Sequence, residues 1–142
     1  MNRPLWDFVA TTTSAWATDP ESGIVWAGEL EGRRGVRIVQ DCREATTIWF
    51  DCGEITLRFE AYLFGRLDDP TLHRRFLKFN HTSWPALVSF DRRDDIYLTG
   101  RVPAGSVDQD MLGVVVGAVH DGVERLFHQC VEAARPGRER SR

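Results

Sequence analysis

Ile55-Thr56-Leu57-Arg58-Phe59-Glu60-Ala61-Tyr62-Leu63-Phe64 alternates along its whole length. Successive side chains of a strand point to opposite sides. Ile55, Leu57, Phe59, Ala61 and Leu63 therefore share one face, and Thr56, Arg58, Glu60, Tyr62 and Phe64 share the other. This pattern predicts an antiparallel sheet with helices on one face only, since a strand covered on both faces reads as a continuous apolar run. The face away from the core still carries Tyr62 and Phe64, with Trp49 on the preceding strand, which is more aromatic surface than a solvated face needs. Trp49, Arg58, Tyr62 and Phe64 are thus the candidate partner-binding residues. The competing reading is that the first helix or a second copy covers them.

Working outward, Ala45 to Cys52 reads as the preceding strand, joined tightly at Gly53-Glu54. Before it, Ile24 to Leu30 and Val36 to Gln40 flank Glu31-Gly32-Arg33-Arg34-Gly35, whose two glycines suit a loop. Leu5, Val9, Thr12 or Thr13, and Trp16 recur at helical spacing, although Thr11-Thr12-Thr13 lowers the intrinsic propensity of that helix. On the other side, Asp68-Asp69-Pro70 starts a second helix, with a carboxylate to cap it and proline in the first turn. Leu72, Phe76, Leu77 and Phe79 give that helix an apolar stripe. Two strands follow, Ala86 to Asp91 and Asp95 to Val102. Ser106-Val107-Asp108-Gln109 has capping-box spacing ahead of a long helix, whose Leu112, Val115, Val116, Val119, Val123, Leu126, Phe127 and Cys130 fall on one face. The fold class is α+β, with the order helix, four strands, helix, two strands, helix. Residues 1–135 read as one domain, and 136–142 as a disordered tail.

Composition narrows the function. The chain has 142 residues, 42% of them hydrophobic, and a formal net charge of −3. A general nucleic-acid binder carries a basic surface, so no nucleic-acid partner is expected. The strongest apolar run, Met111 to Val119, is interrupted by Gly113 and Gly117 and is too short to span a bilayer. The first residues lack the build of a signal peptide, and the expected location is cytoplasmic. Cys42, Cys52 and Cys130 form no C-x-x-C pair and are expected to be free thiols.

The catalytic and metal candidates are thin. His120, Glu124 and His128 put ligand types on one helix face, but over about 12 Å of axis, too far for one ion. Ser83, Ser89 and Ser106 lack a nucleophile-elbow setting. Cys52 beside Asp51 has no nearby histidine in sequence. Asp51, Glu54 and Glu60 form a carboxylate pair only if the fold aligns them. Arg33-Arg34-x-x-Arg37 and Arg92-Arg93 are short basic clusters that read as solvated turns. Gly113 and Gly117, four apart in a helix, form a smooth strip suited to close packing on the sheet or to a helix–helix contact in a homodimer. No cofactor and no metal are expected.

Several motifs together carry a resemblance. These are Phe76-Leu77-Lys78-Phe79-Asn80, then Ala86-Leu87-Val88-Ser89-Phe90-Asp91, then Asp95-Ile96-Tyr97-Leu98-Thr99-Gly100-Arg101-Val102-Pro103 before a long capped helix. With Thr46 to Glu54 and Leu57 to Tyr62, they resemble the YbjN family, in its actinobacterial branch, over roughly residues 45–134. That family is similar in fold to type III secretion chaperones. The resemblance implies a cytoplasmic, homodimeric, non-enzymatic module that is chaperone-like or regulatory and binds a protein or peptide client. It supplies no set of binding residues. Two rivals remain open: a small enzyme built from dispersed His73, His81, Asp51 and Cys52, and a structural subunit of a larger assembly.

Overall fold

A computed structural model describes residues 1–136, so most of the tail expected to be disordered lies outside the described residues. The elements run α1 (Arg3–Ala17), β1 (Ile24–Leu30), β2 (Arg33–Val39), β3 (Ala45–Cys52), β4 (Thr56–Phe64), α2 (Pro70–Thr82), β5 (Leu87–Phe90), β6 (Ile96–Pro103) and α3 (Gln109–Ala134). The strands form one six-stranded antiparallel sheet in the order β1-β2-β3-β4-β6-β5. This is the α+β architecture that the alternation of β4 predicts.

One face of the sheet holds the core. Val36 and Ile38 of β2, Ile48 and Phe50 of β3, Leu57, Phe59, Ala61 and Leu63 of β4, and Ile96, Leu98 and Val102 of β6 are all buried there. Leu112, Val115, Val119, Val123 and Leu126 of α3, Leu72, Phe76 and Phe79 of α2, and Leu5, Trp6 and Val9 of α1 complete the cluster. Full burial of such side chains stabilises by about 1.5–3 kcal/mol each, so this face carries most of the folding energy. Leu77 departs from the expected stripe: it is exposed on α2, because the core-facing positions of that helix are Leu72, Phe76 and Phe79.

The helix starts follow from local chemistry. Asn2 accepts from the Leu5 N–H at 3.1 Å to cap α1, and its own backbone N–H donates to Cys52 O on the β3–β4 hairpin. Asp69 accepts from the backbone N–H groups of Thr71 and Leu72, as the Asp-Pro start of α2 predicts. The cap of α3 is Asp108, which accepts from Met111 N at 2.8 Å. Ser106 instead sits in a short 3-10 turn, Ala104–Ser106, so the cap lies two residues beyond the expected one, and Met111 at the third helical position cannot complete a capping box.

Two further departures matter for the site. The β1–β2 connection is a two-residue turn, Glu31-Gly32, with φ of 53° and 77°. Both central residues are left-handed, the geometry whose twist matches a hairpin. Arg33, Arg34 and Gly35 therefore lie in β2, not in a loop. The other departure is a bulge in β4, where Tyr62 pairs with Tyr97 but Phe64 pairs with Ile96. The extra residue turns Phe64 back to the helix side, where its ring lies 5.9 Å from that of Phe127. Arg43 holds the bulge by donating to the carbonyls of Tyr62 at 2.6 Å and Leu63 at 2.7 Å, with its guanidinium 5.1 Å over Phe127. Ile55 is likewise not a core residue: β4 begins at Thr56, and Ile55 stands exposed in the turn.

Glu124 of α3 fastens the β2–β3 loop. Its Oε2 accepts from the N–H of Asp41 at 2.7 Å, from that of Cys42 at 3.2 Å and from Gln40 Nε2 at 2.6 Å. Desolvation pushes this carboxyl up, but the three donors outweigh it and hold it at about 2.

Candidate functional site

The outward side chains of the strands form a face that none of the three helices covers. β1 contributes Trp26, Gly28 and Leu30, and β2 contributes Arg33, Gly35 and Arg37. Next come Thr47, Trp49 and Asp51 of β3, with Arg58, Glu60 and Tyr62 of β4 beside them. Tyr97, Thr99 and Arg101 of β6 and Leu87 and Ser89 of β5 complete it.

Glycine explains how the tryptophans sit. Gly28 and Gly35 are direct cross-strand partners. A Cβ on Gly28 would lie 2.5 Å from the Trp26 ring. One on Gly35 would lie 2.6 Å from Trp49 and 2.7 Å from Trp26. The two indoles thus rest on bare backbone and meet edge to face, with centroids 6.3 Å apart. Arg33 stands 5.6 Å over Trp49 and Arg37 stands 5.9 Å over Trp26, both within cation–π range. Further along, Tyr62 and Tyr97 make a second edge-to-face pair at 5.6 Å. The face is a ridge of paired aromatics flanked by guanidiniums.

Of the four predicted contact residues, Trp49, Arg58 and Tyr62 lie on this face and Phe64 does not, because of the bulge. The face also contains Trp26, Arg33, Arg37, Tyr97 and Arg101, which sequence reasoning did not select. The alternation of Trp26, Gly28 and Leu30 was available as a signal for the first of them.

The two arginines read as one solvated turn point in opposite directions. Arg34 faces α1, where Nε donates to Thr13 Oγ1 at 3.0 Å and Nη2 donates to Ala10 O at 3.1 Å and Ser14 Oγ at 2.6 Å. Burial lowers its pKa and Glu29 opposes that. The threonine run that weakens α1 thus serves as the acceptor for a buried cation. Arg33 lies on the open face, paired with Glu60 through Nη2 and with Asp51 at 3.5 Å through Nε.

The dispersed enzyme residues are not brought together. Asp51 is on the open face, whereas Cys52 is buried on the helix side, where desolvation and then the Asp51 charge push its thiol up to about 11. His73 donates to Leu67 O at 2.6 Å and packs 5.1 Å from Phe90, and His81 is exposed near the end of α2. His120 contacts Asp121, while Glu124 is committed to the loop. Among the described residues no group of three or more His, Cys, Asp or Glu could hold a metal ion.

Gly113 and Gly117 meet open space: a Cβ on either would find nothing within 4 Å. They line a groove of about 480 Å³ with Trp16, Ile24, Ile38 and Val116. The helical glycine that packs on the sheet is Gly122, where a Cβ would lie 2.9 Å from Leu98 Cδ1.

Comparison with known proteins fits this geometry. Among the described residues no helix is long and apolar enough to cross a membrane. The fold is similar to that of chains in two solved complexes. It superposes on a chain of the heterodimeric ExoU–SpcU complex from the type III secretion system of Pseudomonas aeruginosa (TM-score 0.54, 19% identity, 84% of this chain and 95% of that one). It also superposes on a chain of the ExsC–ExsE complex (TM-score 0.57, 16% identity, 84% of this chain and 91% of that one). In sequence, the chain is 28% identical over 123 residues to an uncharacterized protein of Mycobacterium leprae, covering 85% of this chain and 62% of that protein. It is 29% identical over 106 residues to one of Mycobacterium tuberculosis, covering 73% of this chain and 54% of that protein. The chain thus spans somewhat over half the length of these relatives. Residues 14–132 match the profile of YbjN, described as "Putative bacterial sensory transduction regulator", and the chain belongs to the YbjN family.

Proposed function

We propose that this chain is a non-catalytic module, chaperone-like or regulatory, that holds an extended segment of a client protein on its open sheet face or at a sheet edge. It does so as a cytoplasmic homodimer, with α3 and its Gly113–Gly117 strip available for the contact between copies. The observation that carries the reading is the ridge of Trp26, Trp49, Tyr62 and Tyr97 on a sheet face that no helix covers. Aromatic side chains of this kind give large contact area at low cost in side-chain entropy. The fold likeness supports the reading, because both structural neighbours are two-protein complexes.

The occupant that the surface favours is an extended segment of net negative charge. Arg33, Arg37, Arg58 and Arg101 outnumber Asp51 and Glu60 on this face, although the chain as a whole carries −3. Affinity capture from the native lysate, with light scattering on the eluate, tests the proposal. The expected result is a dimer with one or two proteins in fixed ratio, lost on Trp49→Ala or Tyr62→Ala and kept on Leu77→Ala. Retention of the partner by both open-face variants would overturn the placement.

A further inference from the structure

At the β5 end of the open face, Arg58, Arg101, Ser89, Thr99, Trp84 and Leu87 border a cavity of about 430 Å³. Arg58 and Arg101 are direct cross-strand partners. Like charges directly opposite one another are unfavourable in a sheet. Asp51 is the partner of Arg58 on its other side, and Glu60 also borders the cavity, so both arginines have carboxylates near them. Both carboxylates are nevertheless drawn to Arg33, which reaches Glu60 through Nη2 and Asp51 at 3.5 Å through Nε. Neither Arg58 nor Arg101 makes a hydrogen bond or ion pair among the described residues. The lining itself carries two guanidiniums and two carboxylates, and Arg33, which reaches both carboxylates from outside it, brings the whole cluster to one unit of positive charge.

The rest of the wall defines what could sit there. Ser89 Oγ and Thr99 Oγ1 lie 2.9 Å apart and offer hydroxyl groups beside the guanidiniums. Trp84 is 63% exposed and Leu87 is 40% exposed, which leaves an uncovered apolar rim. We infer that this cavity takes the carboxylate side chain of an acidic residue in an extended protein segment, with a neighbouring apolar residue of the same segment against Trp84 and Leu87. A single residual charge matches a monoanion. A dianionic phosphate would leave one negative charge uncompensated beside Asp51 and Glu60. Two guanidiniums with hydroxyl neighbours suit the two oxygens of a carboxylate. The inference rests on the proposed client-binding role and names the residue type that the client must present.

Selection of a randomised peptide-display library against the full chain tests it. Enriched peptides should carry Asp or Glu next to an apolar residue. Arg58→Gln and Arg101→Gln should each weaken the best peptide by about tenfold and abolish its advantage over the glutamine counterpart. Both side chains are exposed, so thermal unfolding should confirm that the variants fold as the parent does. Peptides selected without an acidic position, held equally by both arginine variants but lost with Trp49→Ala, would overturn the carboxylate site and leave the open-face reading standing. Acidic peptides lost with the arginine variants but indifferent to Trp49→Ala and Tyr62→Ala would support the site and count against the wider face. Enrichment of nothing, or displacement of the best peptide by inorganic phosphate at lower concentration than by acetate, would overturn the inference.

Discussion

The two faces of this sheet are made by the same strands, residue by residue in alternation, yet they solve opposite problems. On the helix side Leu57, Phe59, Ala61 and Leu63 are exposed by 2% or less, and the buried Arg34 is satisfied by Thr13, Ser14 and Ala10. On the open side Arg58 and Tyr62 stand in solvent and the indoles lean on glycine backbone. Where aromatics are locked under helices, they stabilise the fold. Where they rest on glycines and are flanked by guanidiniums, they form the surface proposed to receive another chain. Mutations that separate stability from binding are therefore the means of testing the distinction.

The largest expected effect is on stability alone. Phe50→Ala should destabilise by about 3–5 kcal/mol in denaturant titration, because Phe50 is fully buried against Phe59. Its chain neighbour Trp49, pointing the other way, should cost far less on replacement by alanine while removing client binding. If the two variants lost stability equally, the division between the faces would fail.

Arg34→Met comes next. It leaves Thr13, Ser14 and the Ala10 carbonyl without their donor, and should cost about 1–3 kcal/mol by the same titration. Arg37→Met, on the exposed side of the same strand, should stay within about 0.5 kcal/mol.

Acid provides a third comparison. The folded Glu124 carboxyl, at about 2, lies below its ordinary value of 4.5. A depressed carboxyl contributes stability that is fully present above its unfolded pKa and is lost as pH falls through the folded one. Melting temperature should therefore drop between pH 4.5 and 2 more steeply in the parent than in Glu124→Gln. Parallel curves would mean that the loop is not held by this latch.

The smallest effect expected is a gain. Gly117→Ala fills open space on a helix of the isolated chain and should raise its stability by about 0.4–1 kcal/mol, while weakening the proposed contact between copies. Gly122→Ala meets the Leu98 side chain and should lose part or all of that benefit.

Much of this division is legible in the chain. The alternation in Leu57 to Tyr62 marks which face is open, and Asp69-Pro70 and the α3 stripe mark the helices. What escapes is set by non-local geometry. Phe64 continues the alternation in sequence, and only the added residue at the bulge, held by Arg43 across the sheet, turns it inward. Gly35 looks like a turn residue until Trp26 and Trp49, from two other strands, are seen lying on it. Arg33 and Arg34 are one dipeptide with opposite fates, since Glu31-Gly32 alone suffices for the turn and places both in β2. Trp26 is marked by its alternation with Gly28 and Leu30, but its seat on Gly35 comes from strand pairing that no local pattern specifies.

The most direct test of the account is site-specific photocrosslinking in the native cell, with a photoreactive phenylalanine analogue placed in turn at Trp49, Tyr62 and Leu77. All three positions are accessible at least in part, but only the first two lie on the open face. A discrete crosslinked protein is expected from positions 49 and 62 and none from 77. Crosslinks from 77 alone would contradict this and place the working surface on the helices.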